Sequence, residues 1–174
     1  MPLNLIIPMA GKGERFRKSG YLDHKPFIKI NEKFMYEYVT KNFPDYVTVW
    51  IITCEKYLNE YQLNYLKKKK INILFICPHK LGPAYSILKC KERLPLNESF
   101  FISYCDIDWT WNYNLVKNEL DRDGIVFTHN KFHPHKLVNN YAAFCKAKDN
   151  QLLEIREKES FTKEWMNEDL SVGI

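Results

Sequence analysis

The chain has no C-x-x-C pair, and its five cysteines (Cys54, Cys77, Cys90, Cys105, Cys145) are spread through 174 residues. That dispersal excludes a disulfide-framed secreted scaffold, and the thiols read as reduced side chains in or near a core. Glycine is scarce at six residues, and no internal repeat, low-complexity tract or interdomain linker appears. No apolar run approaches transmembrane length, and Met1-Pro2-Leu3-Asn4 carries no basic leader. From these absences the expected location is the cytoplasm, with no membrane partner. No Ser-His-Asp or Cys-His spacing stands out. Two common phosphate loops are missing as well. Gly13 is followed by Glu14 and Arg15 where a P-loop needs Lys and Ser or Thr. Phe16 stands where the dinucleotide fingerprint needs a third Gly or Ala.

What is present is the composition of a folded protein, 45% hydrophobic and 15% aromatic, long enough for one domain with a sizeable core. The net charge of +5 suits an anionic small molecule and also suits nucleic acid. Apolar runs predict strands at Leu3–Pro8, Val47–Thr53, Ile71–Cys77, Phe100–Tyr104 and Gly124–His129. Between them, Phe34–Asn42, Glu55–Lys68, Pro83–Arg93 and Asn112–Asp121 read as helices, the third with Ala84, Ile87, Leu88 and Leu94 close to one face. Such alternation predicts an α/β fold with a mostly parallel sheet, whose ligands bind beyond the carboxyl ends of the strands. After Gly124 the rhythm changes to a hairpin, Asn139–Lys146 and Leu152–Arg156, turning at Lys148-Asp149-Asn150-Gln151.

Three pieces of chemistry fall at the predicted strand ends. The first strand runs into Pro8-Met9-Ala10-Gly11-Lys12-Gly13-Glu14-Arg15-Phe16, with Lys25-Pro26 downstream. Gly11 and Gly13 let backbone N–H groups approach phosphate oxygens, with Arg15 as a planar fork and Lys25 as a point charge. The same glycines also suit a plain turn. At a second end lie Cys77-Pro78-His79-Lys80, and the Leu81-Gly82-Pro83 that follow also read as helix initiation with Pro in the first turn. At a third, Asp106 and Asp108 suit a Mg²⁺ ion held with phosphate oxygens, or a cap on the following turn. The run Lys67-Lys68-Lys69-Lys70 reads as the solvated end of a helix rather than a nucleic-acid contact. His129, His133 and His135 have no cysteine partners and read as a structural loop rather than a zinc site.

The combination G-x-G-x-R-F followed by K-P-F-I-K-I resembles the nucleoside-triphosphate transferase family, the sugar-nucleotide pyrophosphorylases and cytidylyltransferases. The longer stretch from Pro8 to Ile30 is similar to a subgroup found in surface-polysaccharide gene sets, with His24 where that subgroup carries Pro. The resemblance implies a Rossmann-like nucleotide-binding sandwich of the GT-A type, one domain over 1–174. Residues 1–123 would form its nucleotide-binding half, and 124–174 the start of the acceptor-binding half.

By the same resemblance, Met9, Ala10, Gly11, Lys12, Gly13, Lys80 and Gly82 bind nucleotide, with Pro83 replacing the usual Thr beside Gly82. Arg15 neutralises the leaving pyrophosphate, Lys25 holds the α-phosphate, and Asp106, with Asp108 beside it, holds Mg²⁺. Tyr141, Glu157 and Lys158 take the phosphorylated acceptor. Ser171-Val172-Gly173-Ile174 is similar to the start of a family strand that normally continues, so the chain reads as cut short, before a second metal-binding Asp. The implied activity transfers NMP from an NTP, CTP first and UTP or dTTP next, in capsule or surface-polysaccharide precursor synthesis. Two other readings remain. A metal-dependent glycosyltransferase of the related sandwich fold accounts for the aspartates but gives Gly11, Gly13 and Arg15 no role. The other is a non-catalytic nucleotide-binding module.

Overall fold

The computed structural model describes residues 2–130 and 143–173, so Tyr141, His133, His135, Ile174 and the first residues of the predicted Asn139–Lys146 strand lie outside it. The chain forms two compact units, Met1–Asp121 and Arg122–Ile174.

The first unit runs in the order β1 (Leu3–Pro8), α1 (Glu14–Lys18), β2 (Lys29–Ile30), β3 (Lys33–Phe34), α2 (Met35–Thr40) and β4 (Thr48–Thr53). It continues with α3 (Glu60–Lys68), β5 (Asn72–Phe75), α4 (Pro83–Cys90), β6 (Ser99–Ile102) and α5 (Tyr113–Lys117). Its main sheet is parallel, in the order β5-β4-β1-β6, and β2 and β3 form a separate hairpin. β1 is apolar almost throughout because a central parallel strand is covered on both faces; Leu5, Ile6 and Ile7 are fully buried. Each such side chain contributes roughly 1.5–3 kcal/mol. Ile6 and Ile52 pack with Leu74, Cys90 and Leu94 beneath α4.

One polar side chain sits inside this apolar strand. Asn4 is buried, donates from Nδ2 to Glu98 Oε2 at 2.8 Å, and accepts from Trp50 Nε1 at 3.0 Å. It ties β1 to β4 and to the residue just ahead of β6. A buried amide is tolerated only with such partners.

β4 and β5 lie to one side of β1 and β6 to the other. The strand order therefore reverses between β1 and β6, and the carboxyl ends of these two strands open a crevice.

Several predicted elements are shorter than their sequence patterns. The helix expected over Glu55–Lys68 starts only at Glu60, after a 3-10 turn at Glu55–Tyr57. Asn59 sets that start: its side chain accepts from Gln62 N at 2.8 Å, and its own N–H donates to Gln62 Oε1 at 3.1 Å. The buried face of α4 is the expected one only in part: Leu94 is buried and Ile87 packs against the same cluster. Ala84 and Leu88 are exposed, while Ser86 and Cys90 point inward and Leu94 follows one helical turn later. The four residues Lys67 to Lys70 are all exposed at the end of α3.

The second unit holds β7 (Thr128–His129), β8 (Ala143–Lys148), β9 (Gln151–Glu157) and β10 (Asp169–Ser171), antiparallel in the order β7-β10-β8-β9. The β8–β9 turn puts Asp149 and Asn150 at φ 52° and 60°, the left-handed pair that a two-residue hairpin needs. Among the unit's described residues, Phe144, Cys145 and Leu170 are buried. Of the strand expected over Gly124–His129, only Thr128 and His129 join the sheet. The last strand covers Asp169–Ser171, Val172 N–H still donates to Phe127 O, and Gly173 has φ 77°. Among the described residues no helix is long and apolar enough to cross a membrane.

Candidate active site

A cleft of about 510 Å³ opens at the β1/β6 crevice of the first unit. Three strand-end segments line it: Pro8 to Phe16 after β1, His79 to Ser86 after β5, and Tyr104 to Asp106 after β6. His24, Lys25 and Pro26 complete the wall.

The first loop is anchored before it becomes open. Met9 N–H donates to Ile52 O at 2.7 Å, and Met9 and Ala10 are buried. Gly11 and Lys12 are exposed. Gly13 takes φ 62°, which starts α1 with a left-handed residue, and α1 carries Arg15 into the cleft wall. Among the described residues, no carboxylate lies within ion-pair distance of Lys12 or Arg15. Their charges are left to whatever anion enters.

On the opposite wall, Gly82 sits at φ 85° and ψ 174°, a region open essentially to glycine alone. A Cβ there would meet no atom within 4 Å, so the constraint lies in the backbone. Gly82→Ala is expected to cost about 1–3 kcal/mol, roughly 2–10 °C in Tm. A melt matching the wild type would show that the loop does not need this conformation. His79 holds the same loop: Nδ1 accepts from Leu81 N–H at 3.1 Å and Nε2–H donates to the buried Ser86 Oγ at 2.9 Å. Lys80 is exposed, with Glu14 at 3.6 Å across the cleft mouth.

The aspartates divide. Asp106 lines the cleft and pairs with the ammonium of Lys25. Asp108 is not in the lining; its carboxylate accepts from Lys41 Nζ at 2.9 Å and Asn42 Nδ2 at 3.3 Å. The Lys41 hydrogen bond holds Asp108 below the usual carboxylate range. The two residues expected to share a metal therefore face different partners, and Asp106 alone is presented to a ligand in the cleft. No group of three or more potential metal-binding His, Cys, Asp or Glu side chains occurs among the described residues. Between Tyr104 and Asp106, burial and the nearby Asp106 carboxylate push the Cys105 thiol up to about 12, so it stays protonated and takes no part as a nucleophile.

His24 is the residue that sequence reasoning passed over. Its ring is buried, stacks on Tyr57 with centroids 4.5 Å apart, and has Nε2 2.7 Å from Gly11 O. Burial lowers its pKa, the Gly11 bond opposes that, and Arg17 and Lys25 lower it further. Ser86 and Tyr104 were likewise not singled out, because their place in the wall depends on the packing of α4 and β6.

In the second unit, Glu157 closes β9 and Lys158 follows at φ 61°, exposed, with its ammonium 3.6 Å from Glu157 Oε1.

A parallel sheet with a switch-point cleft admits many chemistries, and comparison with known proteins selects one. The MobA-like NTP transferase domain family matches residues 5–167. The chain belongs to this family. It is a nucleotidyltransferase, an enzyme that acts on nucleoside triphosphates, which removes the glycosyltransferase and non-catalytic readings.

Solved structures share the transferase's fold. The inositol-1-phosphate CTP transferase from T. maritima superposes with a TM-score of 0.72 at 17% identity, over 98% of this chain and 68% of that one. A candidate glucose-1-phosphate thymidylyltransferase from Bacillus anthracis gives 0.72 at 15% identity, over 98% and 69%. The UTP-bound UGPase from Acinetobacter baumannii gives 0.67 at 16% identity, over 99% and 73%. No match was found among curated protein sequences.

Proposed function

We propose that the transferase joins the NMP of a nucleoside triphosphate to a phosphorylated acceptor and releases pyrophosphate, in the cytoplasm, to make a precursor of capsule or other surface polysaccharide. CTP is the first candidate, with UTP or dTTP next. The observation that carries this reading is the convergence of the Gly11–Gly13 loop, the Gly82 loop, Lys25 and Asp106 on one cleft at the β1/β6 crevice. Support for CTP comes from the T. maritima neighbour, named a CTP transferase, and support for UTP from the UTP-bound A. baumannii enzyme.

In this reaction an acceptor phosphate oxygen attacks the α-phosphorus, a new P–O bond forms, and the bond to the bridging oxygen of pyrophosphate breaks. The nucleophile is already anionic, so no general base is needed. Catalysis then rests on positioning and charge stabilisation. Backbone N–H groups of Gly11 to Gly13 cradle the phosphates, and Arg15 and Lys12 balance the leaving pyrophosphate. Lys25 exchanges the Asp106 carboxylate for α-phosphate oxygens as charge builds there. Lys80 and the Gly82 loop meet the nucleoside, while Lys158, with Glu157 and Tyr141, orients the acceptor phosphate. Asp106 fits a Mg²⁺ ion, because this cation takes one or two carboxylates and fills its sphere with substrate phosphate oxygens and water. When bound, Mg²⁺ offsets the negative charge of the phosphoryl oxygens.

The test is a pyrophosphate-release screen of the NTPs CTP, UTP, dTTP and ATP against sugar phosphates, choline phosphate and amino-acid phosphates. Release that requires one NTP and one acceptor together supports the proposal. Consumption of a nucleotide sugar with no NTP requirement would sink it. With the working pair in hand, Arg15→Ala is expected to cost at least about tenfold in kcat/KM, roughly 1.4 kcal/mol. A wild-type rate would remove Arg15 from the site.

A further inference from the structure

His24 ends in the interior, yet it makes its one strong polar contact with the glycine loop. A carbonyl oxygen cannot donate, so the 2.7 Å contact between Nε2 and Gly11 O means that Nε2 carries the hydrogen. Nδ1 is buried with no hydrogen-bond partner among the described residues. The ring face lies on Tyr57 at an interplanar angle of 27°, and Cδ2 is 3.8 Å from where a Cβ on Gly13 would be. One imidazole, clamped by the turn after β4, therefore reaches both glycines of the loop.

The consequence follows from the planarity of the peptide. Gly11 C=O and Lys12 N–H belong to the same trans peptide unit, and in such a unit they point in opposite directions. A carbonyl drawn toward His24 turns the Lys12 N–H away from it. No acceptor among the described residues takes that N–H.

We infer that His24 is a positioning residue: by holding Gly11 O, it orients the Gly11–Lys12 peptide so that the Lys12 N–H is presented to a triphosphate oxygen. The inference rests on the nucleotide reading of the cleft. It adds to that reading a residue that contacts no phosphate and sets the affinity for the nucleotide through the backbone.

Two substitutions separate hydrogen bonding from packing. His24→Phe keeps an aromatic face for Tyr57 and removes the donor; His24→Gln removes the ring and keeps an amide N–H at similar reach. The expected result is that His24→Phe raises KM for the NTP about tenfold with kcat and acceptor KM within about threefold. His24→Gln should stay within about threefold of wild type throughout. A purely structural role gives the reverse order, with Gln the damaging change and Phe the mild one. That order, or equal damage from both, overturns the inference.

A ligand-free readout keeps this test apart from the function proposal. Amide ¹⁵N relaxation at Gly11 and Lys12 should show increased mobility in His24→Phe and not in His24→Gln. If the wild-type protein binds no NTP, the nucleotide reading fails, while the relaxation data still judge the hold of His24 on the loop. Should either variant not fold, imidazole ¹⁵N shifts of the wild type decide: an Nε2–H tautomer at neutral pH supports the inference and an Nδ1–H tautomer overturns it.

Discussion

Asp106→Asn lowers kcat/KM for pyrophosphate release at least about hundredfold, roughly 2.7 kcal/mol of transition-state stabilisation. Asparagine matches the shape of the aspartate and can still meet Lys25, so what is removed is the carboxylate charge that Asp106 presents in the cleft. Fold stability should barely change. The Asp106 side chain is 37% exposed, and ion pairs at that exposure contribute about 0–1 kcal/mol. A Tm within a few degrees of wild type, together with the lost rate, is the expected pair of results. Asp108→Asn is the internal comparison. Its carboxylate is engaged by Lys41 and Asn42 away from the cleft, so its rate should stay within about twofold. Equal losses at the two positions would mean that both carboxylates serve the reaction and that the division between them is wrong.

Lys25→Met is expected to reduce kcat by about 10²–10³, the range seen when one preorganised charge stabiliser is deleted. Its effect on nucleotide affinity should be smaller, within about fivefold by calorimetry. Lys25 starts out paired with Asp106 and is proposed to act as charge accumulates at the α-phosphate. A group that binds more strongly in the transition state than in the ground state shows in kcat rather than KM. Lys25→Arg should not restore the rate, since a planar fork does not replace a compact ammonium. Full activity in Lys25→Met would remove the residue from the reaction.

The two aspartates also show where sequence reading stops. A D-x-D pair after an apolar strand is legible as chemistry, but successive positions in extended chain point to alternating sides only while the strand lasts, and β6 ends at Ile102. Beyond it Asp106 turns to Lys25, while Asp108 turns to Lys41 and Asn42, which come just after α2. The central strand was legible to the residue because a doubly covered parallel strand is apolar almost throughout, Asn4 being its one polar residue. α1 was not, since it is five residues long and buries none of them, leaving no periodic signal to detect. The Asn59 start of α3 was available in principle as an N-x-x-Q capping box inside what read as one long helix. The inward turn of Ser86 and Cys90 was not, because the apolar pattern of α4 favours the exposed Leu88. His24 reads from sequence as a substitution beside Lys25-Pro26; its contact with Gly11 needs the fold.

Asn4 bears on the order in which the molecule can assemble. The bond from Asn4 to Glu98 spans 94 positions, and joining two such distant points costs a flexible chain about 4 kcal/mol in closure entropy beyond a constant. Pairings of that range slow folding relative to local ones. The β1–β4 and β4–β5 pairings join segments much nearer in sequence. The junction that brings the Gly11 loop to Asp106 is thus the long-range one, and the cleft exists only once it has closed. Acquisition of nucleotide binding during refolding would time the completion of the sheet.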